Sequence, residues 1–155
     1  MATVATARRT QVATPPATDP GHFRAALDRA LAAAAADERI GPRLAASHVS
    51  LRLRFTDVDL VCDLTSEEDG RNLAWSFARR PRGGEAPRLE LELDTTTANL
   101  FLQGRESLAV AIAHRRVKVR GGSTAALVHL PATRLLREPY REVVEAGFPD
   151  LAAAG

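Results

Sequence analysis

The stretch "AHRRVKVRGGS", residues 113–123, is the most distinctive part of the chain and the one on which the fold assignment depends. Val117 and Val119 fall on one side of it, and Lys118 and Arg120 fall on the other. This period of two predicts a strand with one buried face and one solvated face. Two consecutive glycines then end the strand, and the serine that follows them can cap a helix.

The five basic residues of this stretch, including His114, raise the question of a nucleic-acid site. Surfaces that bind nucleic acid usually interleave stacking aromatic side chains with the charge, and this stretch contains none. The net charge of the chain is only +2, which is small for a protein of that class. We therefore interpret Lys118 and Arg120 as the solvated face of a strand and expect no nucleic-acid partner.

A weak contact with an anionic membrane surface or an acidic protein is the alternative role for these basic side chains. The residues that would make it lie in this stretch and in the loop "ARRPRGGEAPR", residues 78–88: Arg79, Arg80, Arg82, Arg115 and Arg116. Nearly all the positive charge is arginine, and alanine is abundant. We therefore attribute the arginine content to codon bias in a GC-rich, bacterial genome and not to a function.

The length of 155 residues suits one domain with its own hydrophobic core. Residues 1–18 offer little apolar surface and are predicted to be a disordered tail, with a mitochondrial transit peptide as the alternative. Residues 19–151 form the predicted domain. No apolar run approaches the roughly 20 residues of a membrane span, and Cys62 is the only cysteine. We expect a cytoplasmic protein without an internal disulfide.

The pattern upstream predicts one helix followed by four strands. After Pro20, with Asp19 as N-cap, apolar residues recur at spacings of three and four until Gly41-Pro42 stops the helix. Its apolar face consists of Phe23, Ala26, Leu27, Ala30, Leu31 and Ala34. The period then changes to two in the segments "HVSLRLRF" (48–55), "VDLVCDL" (58–64), "LAWSF" (73–77) and "RLELEL" (88–93). The first three form an antiparallel meander, and Gly70 allows its second turn.

Short helices are predicted on either side of the strand at 117–120. Asp94 or Thr95 caps a helix that runs to about Gln103 and ends at Gly104, and "ESLAVAIAH" (106–114) forms a second. A last helix begins near Ser123, and Pro131 is expected to kink or end it. Its apolar face is predicted to contain Ala126, Leu127 and Leu130. Because every strand has one apolar face that helices must cover, the fold is a two-layer α+β domain.

The polar residues do not form a recognisable catalytic or metal-binding set. The four histidines, at positions 22, 48, 114 and 129, lack the spacing of a metal pair, and no phosphate-binding or nucleophile motif is present. We expect no metal, no cofactor and no catalytic residue. An enzyme would need a polar group inside the core, and Cys62, Asn99 and His129 are the weak candidates.

The helices are rich in alanine, although larger side chains are usually needed to fill the space between a sheet and its helices. A space left unfilled would be an apolar cavity, and such cavities hold apolar ligands. An ordinary core that packs closely around the alanines is the alternative. Composition alone does not separate the two.

From about Leu89 to Leu130 the chain resembles the sterol carrier protein type 2 family. That family has an alternating strand, a short helix closed by Gly-Lys, a second short helix and a strand of the form Gly-Lys-Leu-Lys-Val-Lys-Gly-Asp. Here Gly104 and Arg105 stand at the Gly-Lys position, and "RRVKVRGG" (115–122) stands where that strand begins. Arg115 replaces the usual glycine and Gly122 the usual aspartate, which bears on the turn geometry. The resemblance covers residues 20–136.

The resemblance implies a five-stranded, mostly antiparallel sheet that helices cover on one face, enclosing an apolar tunnel. It also implies non-catalytic binding or transport of an apolar molecule such as a sterol, fatty acid, acyl-CoA or other lipid. The implied tunnel lining is Trp75, Phe77, Leu100, Phe101, Ile112, Val119, Leu127 and Leu130. The segment from Leu135 to Leu151 would act as a lid. The alternatives are a protein-interaction module with a filled core, or an accessory or enzymatic protein of lipid or specialised metabolism that uses the tunnel.

Overall fold

The computed structural model describes residues 19–67 and 72–153, which form one mixed sheet and a layer of helices. The predicted N-terminal tail (1–18) and the Gly70 turn lie outside these residues. In chain order the elements are α1 (Pro20–Ala36), α2 (Ile40–Ala46), β1 (Ser50–Phe55), β2 (Leu60–Ser66), β3 (Leu73–Ala78), β4 (Leu89–Leu93), α3 (Thr95–Leu102), α4 (Leu108–Ala113), β5 (Lys118–Gly121), α5 (Ser123–Thr133), a 3-10 turn (Arg134–Leu136), α6 (Arg137–Gly147) and α7 (Pro149–Ala153).

The five strands form a single sheet in the order β3-β2-β1-β4-β5. β1, β2 and β3 are the antiparallel meander that the sequence predicts. β4 lies parallel to β1, and β5 completes the sheet antiparallel to β4. The α+β class and the five-stranded, mostly antiparallel sheet are therefore confirmed.

The register gives the sheet one apolar and one charged face. Leu53 pairs with Cys62 on one side and with Leu91 on the other, and all three are buried beneath the helices. On the opposite face Arg52 lies between Asp63 and Glu90, so charges of opposite sign alternate across the strands. The Arg52 Nε atom donates to Asp63 Oδ1 over 2.7 Å.

The opening stretch occupies the edge strand β5, as predicted. Lys118 and Arg120 are exposed on the charged face, whereas Val117 is buried and Val119 is half-buried against the helices. Arg120 lies 3.4 Å from Glu92 in an ion pair across the sheet. The basic residues of the strand therefore belong to its solvated side.

Helix α1 begins and buries its apolar face as the sequence predicts, but it ends earlier. The Asp19 carboxylate accepts the His22 amide over 3.0 Å, and the six predicted core residues are at most 1% exposed. The helix ends at Ala36 instead of at Gly41-Pro42, because the Asp37 carboxylate accepts backbone amides that begin α2. Gly41 lies inside α2, where a Cβ atom would approach the Ala35 carbonyl oxygen to 2.5 Å.

Helix α5 differs from its predicted form in two respects. It continues two residues past Pro131 to Thr133, whose hydroxyl donates to the Leu130 carbonyl over 2.6 Å. Its buried residues are His129, Ala132 and Thr133, whereas Leu127 is 77% exposed. The predicted apolar face is therefore wrong at Leu127, because the side that packs on the sheet is the side of His129.

The C-terminal helices complete the core on the same side of the sheet. Tyr140, Val144 and Leu151 are at most 1% exposed, and α6 packs along α1. The rings of Tyr140 and Phe55 both pack against the ring of Phe23. Within the described residues, no helix is long and apolar enough to cross a membrane.

Candidate ligand-binding site

The space between the sheet and the helices holds a small, wholly apolar cavity of about 20 Å³. It has room for about one water molecule. Its walls come from β1, β4, α3, the end of α5 and the 3-10 turn: Leu51, Leu53, Phe55, Leu91, Leu93, Ala98, Phe101, Leu102, Thr133 and Leu136. In this conformation the core is closely packed, and a lipid would have to open it.

A second, outer cleft of about 160 Å³ lies directly beyond this cavity, between α4 and α5. Its walls are Phe101, Ser107, Leu108, Ala109, Ile112, Leu130, Pro131, Arg134 and Arg137. The floor of the cleft is apolar. The two charged residues of the lining, Arg134 and Arg137, are both cationic.

Phe101 lines both the inner cavity and the outer cleft. Its side chain is 5% exposed, and its ring lies beneath the Arg137 guanidinium, whose central carbon is 5.1 Å from the ring centroid. Such a contact attracts the cation to the face of the ring. The Phe101 ring is therefore the partition between the cleft and the core.

Two tight turns position the walls of the cleft. α3 ends in a Schellman motif, since the Gly104 and Arg105 amides donate to the Phe101 and Leu100 carbonyls and Gly104 has φ +76°. Ser107 is the N-cap of α4, and its hydroxyl accepts the Val110 amide. The Gly-Arg pair that carries the sequence resemblance thus turns the chain from α3, beside the cavity, into α4, the outer wall.

Three of the eight residues that the sequence analysis assigns to the tunnel, Phe101, Ile112 and Leu130, meet in the outer cleft. The half-buried Leu100 and Val119 line neither the cleft nor the inner cavity, and Leu127 is exposed.

Trp75 and Phe77 lie at the opposite edge of the sheet, on β3, and pack under α1. The Trp75 indole donates to Asp28 over 2.8 Å, and the Arg24 guanidinium lies 5.2 Å above the Phe77 ring. Phe77 also lines a broad groove of about 710 Å³ between the start of α1 and the β1–β2 turn. These two aromatic residues are therefore separated from the cleft by the width of the sheet.

Six residues of the cleft lining are not among those predicted from the sequence: Ser107, Leu108, Ala109, Pro131, Arg134 and Arg137. Leu108 follows a good N-cap, and that signal was available. Arg134 and Arg137 were not identifiable, because they belong to a different segment from Phe101 and meet it only in the folded chain.

A buried polar network holds the C-terminal helices against α3. The Asn99 side chain donates to the Leu151 carbonyl over 3.0 Å and accepts from the Tyr140 hydroxyl and the Gln103 amide. Gln103 also donates to Leu151. Burial raises the pKa of the Tyr140 phenol, so the hydroxyl stays protonated and able to donate. The segment that the resemblance assigns to a lid is therefore fixed to the core by its end.

The three polar residues considered for catalysis are all buried: Cys62, Asn99 and His129. Asn99 belongs to the network just described. His129 Nδ1 lies 2.8 Å from the Ala125 carbonyl, which can only accept, so Nδ1 carries the proton and Nε2 accepts the Ser50 amide over 3.0 Å. Burial raises the pKa of the Cys62 thiol to about 12, which keeps it protonated.

The basic residues considered for an anionic partner fall into two groups. Arg79, Arg80 and Arg82 are exposed in the loop after β3, and the first two border a groove of about 530 Å³ on the charged face. Arg116 instead forms an ion pair with Glu106. Among the described residues, no cluster of histidine, cysteine, aspartate or glutamate could hold a metal ion.

No protein-family model and no curated protein sequence matches this chain. Solved structures do match it. The crystal structure of a sterol carrier protein 2 superposes with a TM-score of 0.55 at 20% identity, over 76% of this chain and 95% of that one. The solution structure of sterol carrier protein domain 2 from Helicoverpa armigera gives 0.55 at 12% identity, over 79% and 95%. The chain therefore has a sterol carrier protein 2 fold.

The sec-alkylsulfatase Pisa1 from Pseudomonas sp. contains a similar region, with a TM-score of 0.49 at 18% identity over 61% of this chain. The chain spans only 14% of the length of that enzyme.

Proposed function

We propose that residues 19–151 bind an apolar small molecule between the sheet and the helices, without catalysing a reaction on it. The observation that carries this proposal is the position of Phe101, a single ring between an apolar core cavity and an outer cleft. The fold shared with sterol carrier protein 2 supports a lipid as the ligand class. A sterol, a fatty acid and an acyl-CoA are all members of that class.

Binding requires the inner cavity to expand. Each CH₂ group removed from water contributes about 0.8 kcal/mol, so a chain of about ten such groups contributes about 8 kcal/mol in total. Part of that free energy offsets the cost of moving Phe101 and the helices α4 and α5 away from the sheet. A dissociation constant in the micromolar range corresponds to a net binding free energy of about 8 kcal/mol. Long chains are therefore favoured over short ones, because they bury enough CH₂ groups to leave this surplus.

The test is a titration of delipidated protein with a fluorescent fatty acid and a fluorescent sterol. Saturable binding of at least one probe is expected. Replacing Leu53 by Arg on the cavity wall should abolish this binding, because it places a charge where the chain would lie. Replacing the exposed Leu127 by Arg is the matched control and should leave binding unchanged. Failure of every probe to bind the correctly folded protein would refute the proposal.

The second candidate function is a protein-interaction module with a filled core. The small volume of the inner cavity, about 20 Å³, favours it, and the exposed apolar side chains of Leu127 and Val128 would supply a contact surface. Native mass spectrometry of the purified protein separates the two functions. A lipid that co-purifies at one per chain supports only the first.

A further inference from the structure

We propose that the charged face of the sheet docks an acidic segment of a partner protein, in a groove of about 530 Å³ at one end of that face. This inference goes beyond the proposed function and is independent of it, because the apolar cavity lies on the other side of the sheet. The walls that define this charged-face groove are Arg54, Phe55, Thr56, Val58, Asp59, Leu60, Val61, Arg79, Arg80, Pro81, Glu92 and Arg120.

The cations of the charged-face groove are spread across the whole width of the sheet. Arg54 lies near the end of β1 and Arg120 on β5, and Arg79 and Arg80 directly follow β3. In the sheet order β3-β2-β1-β4-β5 these positions belong to every second strand. Neighbouring strands lie about 5 Å apart, so the backbone positions of the cations are about 10 Å apart and span about 20 Å. Such a row fits an extended segment with several negative charges and is too wide for a single anionic group.

Positive charge is also in excess within the charged-face groove. Four arginines line it, against the two carboxylates of Asp59 and Glu92, which leaves a net charge of +2. The whole chain has a net charge of the same size. Glu92 is shared, since Arg54 lies 3.9 Å and Arg120 lies 3.4 Å from the same carboxylate oxygen. The groove therefore lacks the carboxylates that would neutralise its cations, and an acidic partner would supply them.

Arg79 and Arg80 are the cations best able to bind carboxylates of a partner. Both side chains are exposed, and neither forms an ion pair with another residue in the part of the chain that the structure describes. Arg52 on the same face is different, because its Nε atom lies 2.7 Å from Asp63. A guanidinium group binds a carboxylate through two parallel hydrogen bonds when its donors are available.

The floor of the charged-face groove favours a protein segment over other polyanions. It is apolar at Val58, Leu60, Val61 and Pro81, so it can contact apolar side chains that lie between acidic ones. Phe55 is the single aromatic residue of the lining and is only 2% exposed, which leaves no ring on which a nucleobase could stack. The surface is concave, whereas a lipid bilayer is flat.

The test uses a fluorescein-labelled peptide of three Glu-Glu-Val repeats and a control peptide with glutamine in place of every glutamate. Binding to the full-length protein is measured by fluorescence anisotropy at about 0.1 M salt, where exposed charges still interact over about 10 Å. We expect saturable binding of the acidic peptide, about ten-fold tighter than binding of the control peptide. Equal binding of the two peptides would overturn the proposal.

Charge-reversal variants locate the peptide on the protein. Arg79→Glu and Arg80→Glu should each weaken the acidic peptide about ten-fold, because each replaces an attraction by a repulsion. Arg141→Glu is the matched control, since it makes the same charge change at an exposed position on α6, in the helix layer and outside the groove. Arg79→Gln should weaken the peptide about three-fold and tests the same contact without adding a negative charge.

The remaining outcomes separate a specific groove from general attraction to a basic protein. An equal loss of affinity in Arg141→Glu and in the two groove variants would overturn the proposal. Binding of phosphatidylglycerol vesicles or of a short single-stranded RNA, without binding of the acidic peptide, would overturn it as well and would assign the groove to a bilayer or a nucleic acid. Arg79→Glu should leave binding of the fluorescent fatty acid and sterol unchanged. Failure of those lipid probes with intact peptide binding would therefore count only against the proposed function.

Discussion

Arg115 holds a backbone conformation that glycine adopts without steric penalty, with φ +61°. It lies just after α4, where the Arg115 and Arg116 amides donate to the Ile112 and Ala111 carbonyls in a second Schellman motif. The same motif ends α3, where Gly104 occupies the equivalent position. Arg115 therefore forms the same kind of turn as Gly104 although it carries a side chain.

Replacing Arg115 by Gly should stabilise the protein by about 0.5–1 kcal/mol. The left-handed conformation costs a residue with a side chain about 1–2 kcal/mol, and the greater freedom of glycine in the unfolded chain returns part of that gain. Denaturant unfolding measures the difference. Arg115→Ala keeps the strain and should show no comparable gain, so equal stabilisation of the two variants would contradict this explanation.

Cys62 should be unreactive in the native protein. It is 0% exposed, and burial raises the pKa of its thiol to about 12, so almost no thiolate is present at mildly alkaline pH. A thiol reagent such as DTNB should react with it only as fast as the chain unfolds. Addition of guanidinium chloride should release one reactive thiol per chain. Rapid reaction of the folded protein would show that the apolar face opens at β2.

At the scale of elements, the strands could be predicted and the helix faces only in part. The alternation of apolar and polar residues predicts β1 and β4 and their buried face, because successive side chains on a strand point to opposite faces of the sheet. The parallel pairing of these two strands has no such local signal. In α5 the apolar residues surround the helix, so periodicity could not identify His129 as the buried side or Leu127 as the exposed one.

The candidate site was predictable to the same extent. Phe101, Ile112 and Leu130 follow from apolar faces, and the structure brings them together in the cleft. The position of Arg134 and Arg137 in the cleft depends on how the 3-10 turn and the start of α6 meet α3, a long-range contact that no short stretch of sequence specifies. Contacts of this kind depend on the fold as a whole. From the sequence alone, a charged residue on a helix that carries both polar and apolar residues is therefore predicted only to be exposed.

The contact between α7 and α1 should depend on pH through His22 and Asp150. Their side chains lie 2.8 Å apart, and the hydrogen bond to Asp150 raises the pKa of His22 and lowers that of the carboxyl group. The pair therefore stabilises the fold while His22 is protonated. That contribution is lost as pH rises from 6.5 through the raised pKa, and lost again as pH falls through the lowered pKa of Asp150.

NMR titration of the imidazole checks this directly. In the Asp150→Asn variant the pKa of His22 should fall toward its ordinary value of 6.5. An unaltered His22 pKa in the variant would show that the two helices do not interact through this pair in solution.

The network around Asn99 should account for the attachment of α6 and α7. Replacing Asn99 by Ala removes the partner of the Tyr140 hydroxyl and leaves a cavity in a buried site, so a loss of about 2–4 kcal/mol is expected. Tyr140→Phe is the graded control and should cost only about 1 kcal/mol, since Asn99 still accepts from Gln103. Thermal unfolding of the two variants tests this order. Equal losses would contradict it.

At the scale of the whole molecule, the two sides of the apolar face differ in how firmly they are covered. Helix α1 buries six residues of its face against the sheet and packs along α6, and the Asn99 network holds α6 at Tyr140 and α7 at Leu151. By contrast α4 buries only Leu108 and Ala111, and the buried residues of α5 are small or polar. Fewer apolar contacts mean a lower free energy of local opening. The wall formed by α4 and α5 is therefore the one that should move when a ligand enters.

Hydrogen exchange should show this difference directly. Amides of β1, β2 and β4 should exchange only with global unfolding, whereas those of α4 and α5 should exchange at least about ten-fold faster through local opening. A bound ligand stabilises only the conformation that holds it, so hexadecanoate should slow exchange in α4 and α5 more than in α1. Protection centred instead on α1 and β3, near Trp75 and Phe77, would place the access route at the opposite edge of the sheet. The cleft between α4 and α5 would then be a surface feature without a part in binding.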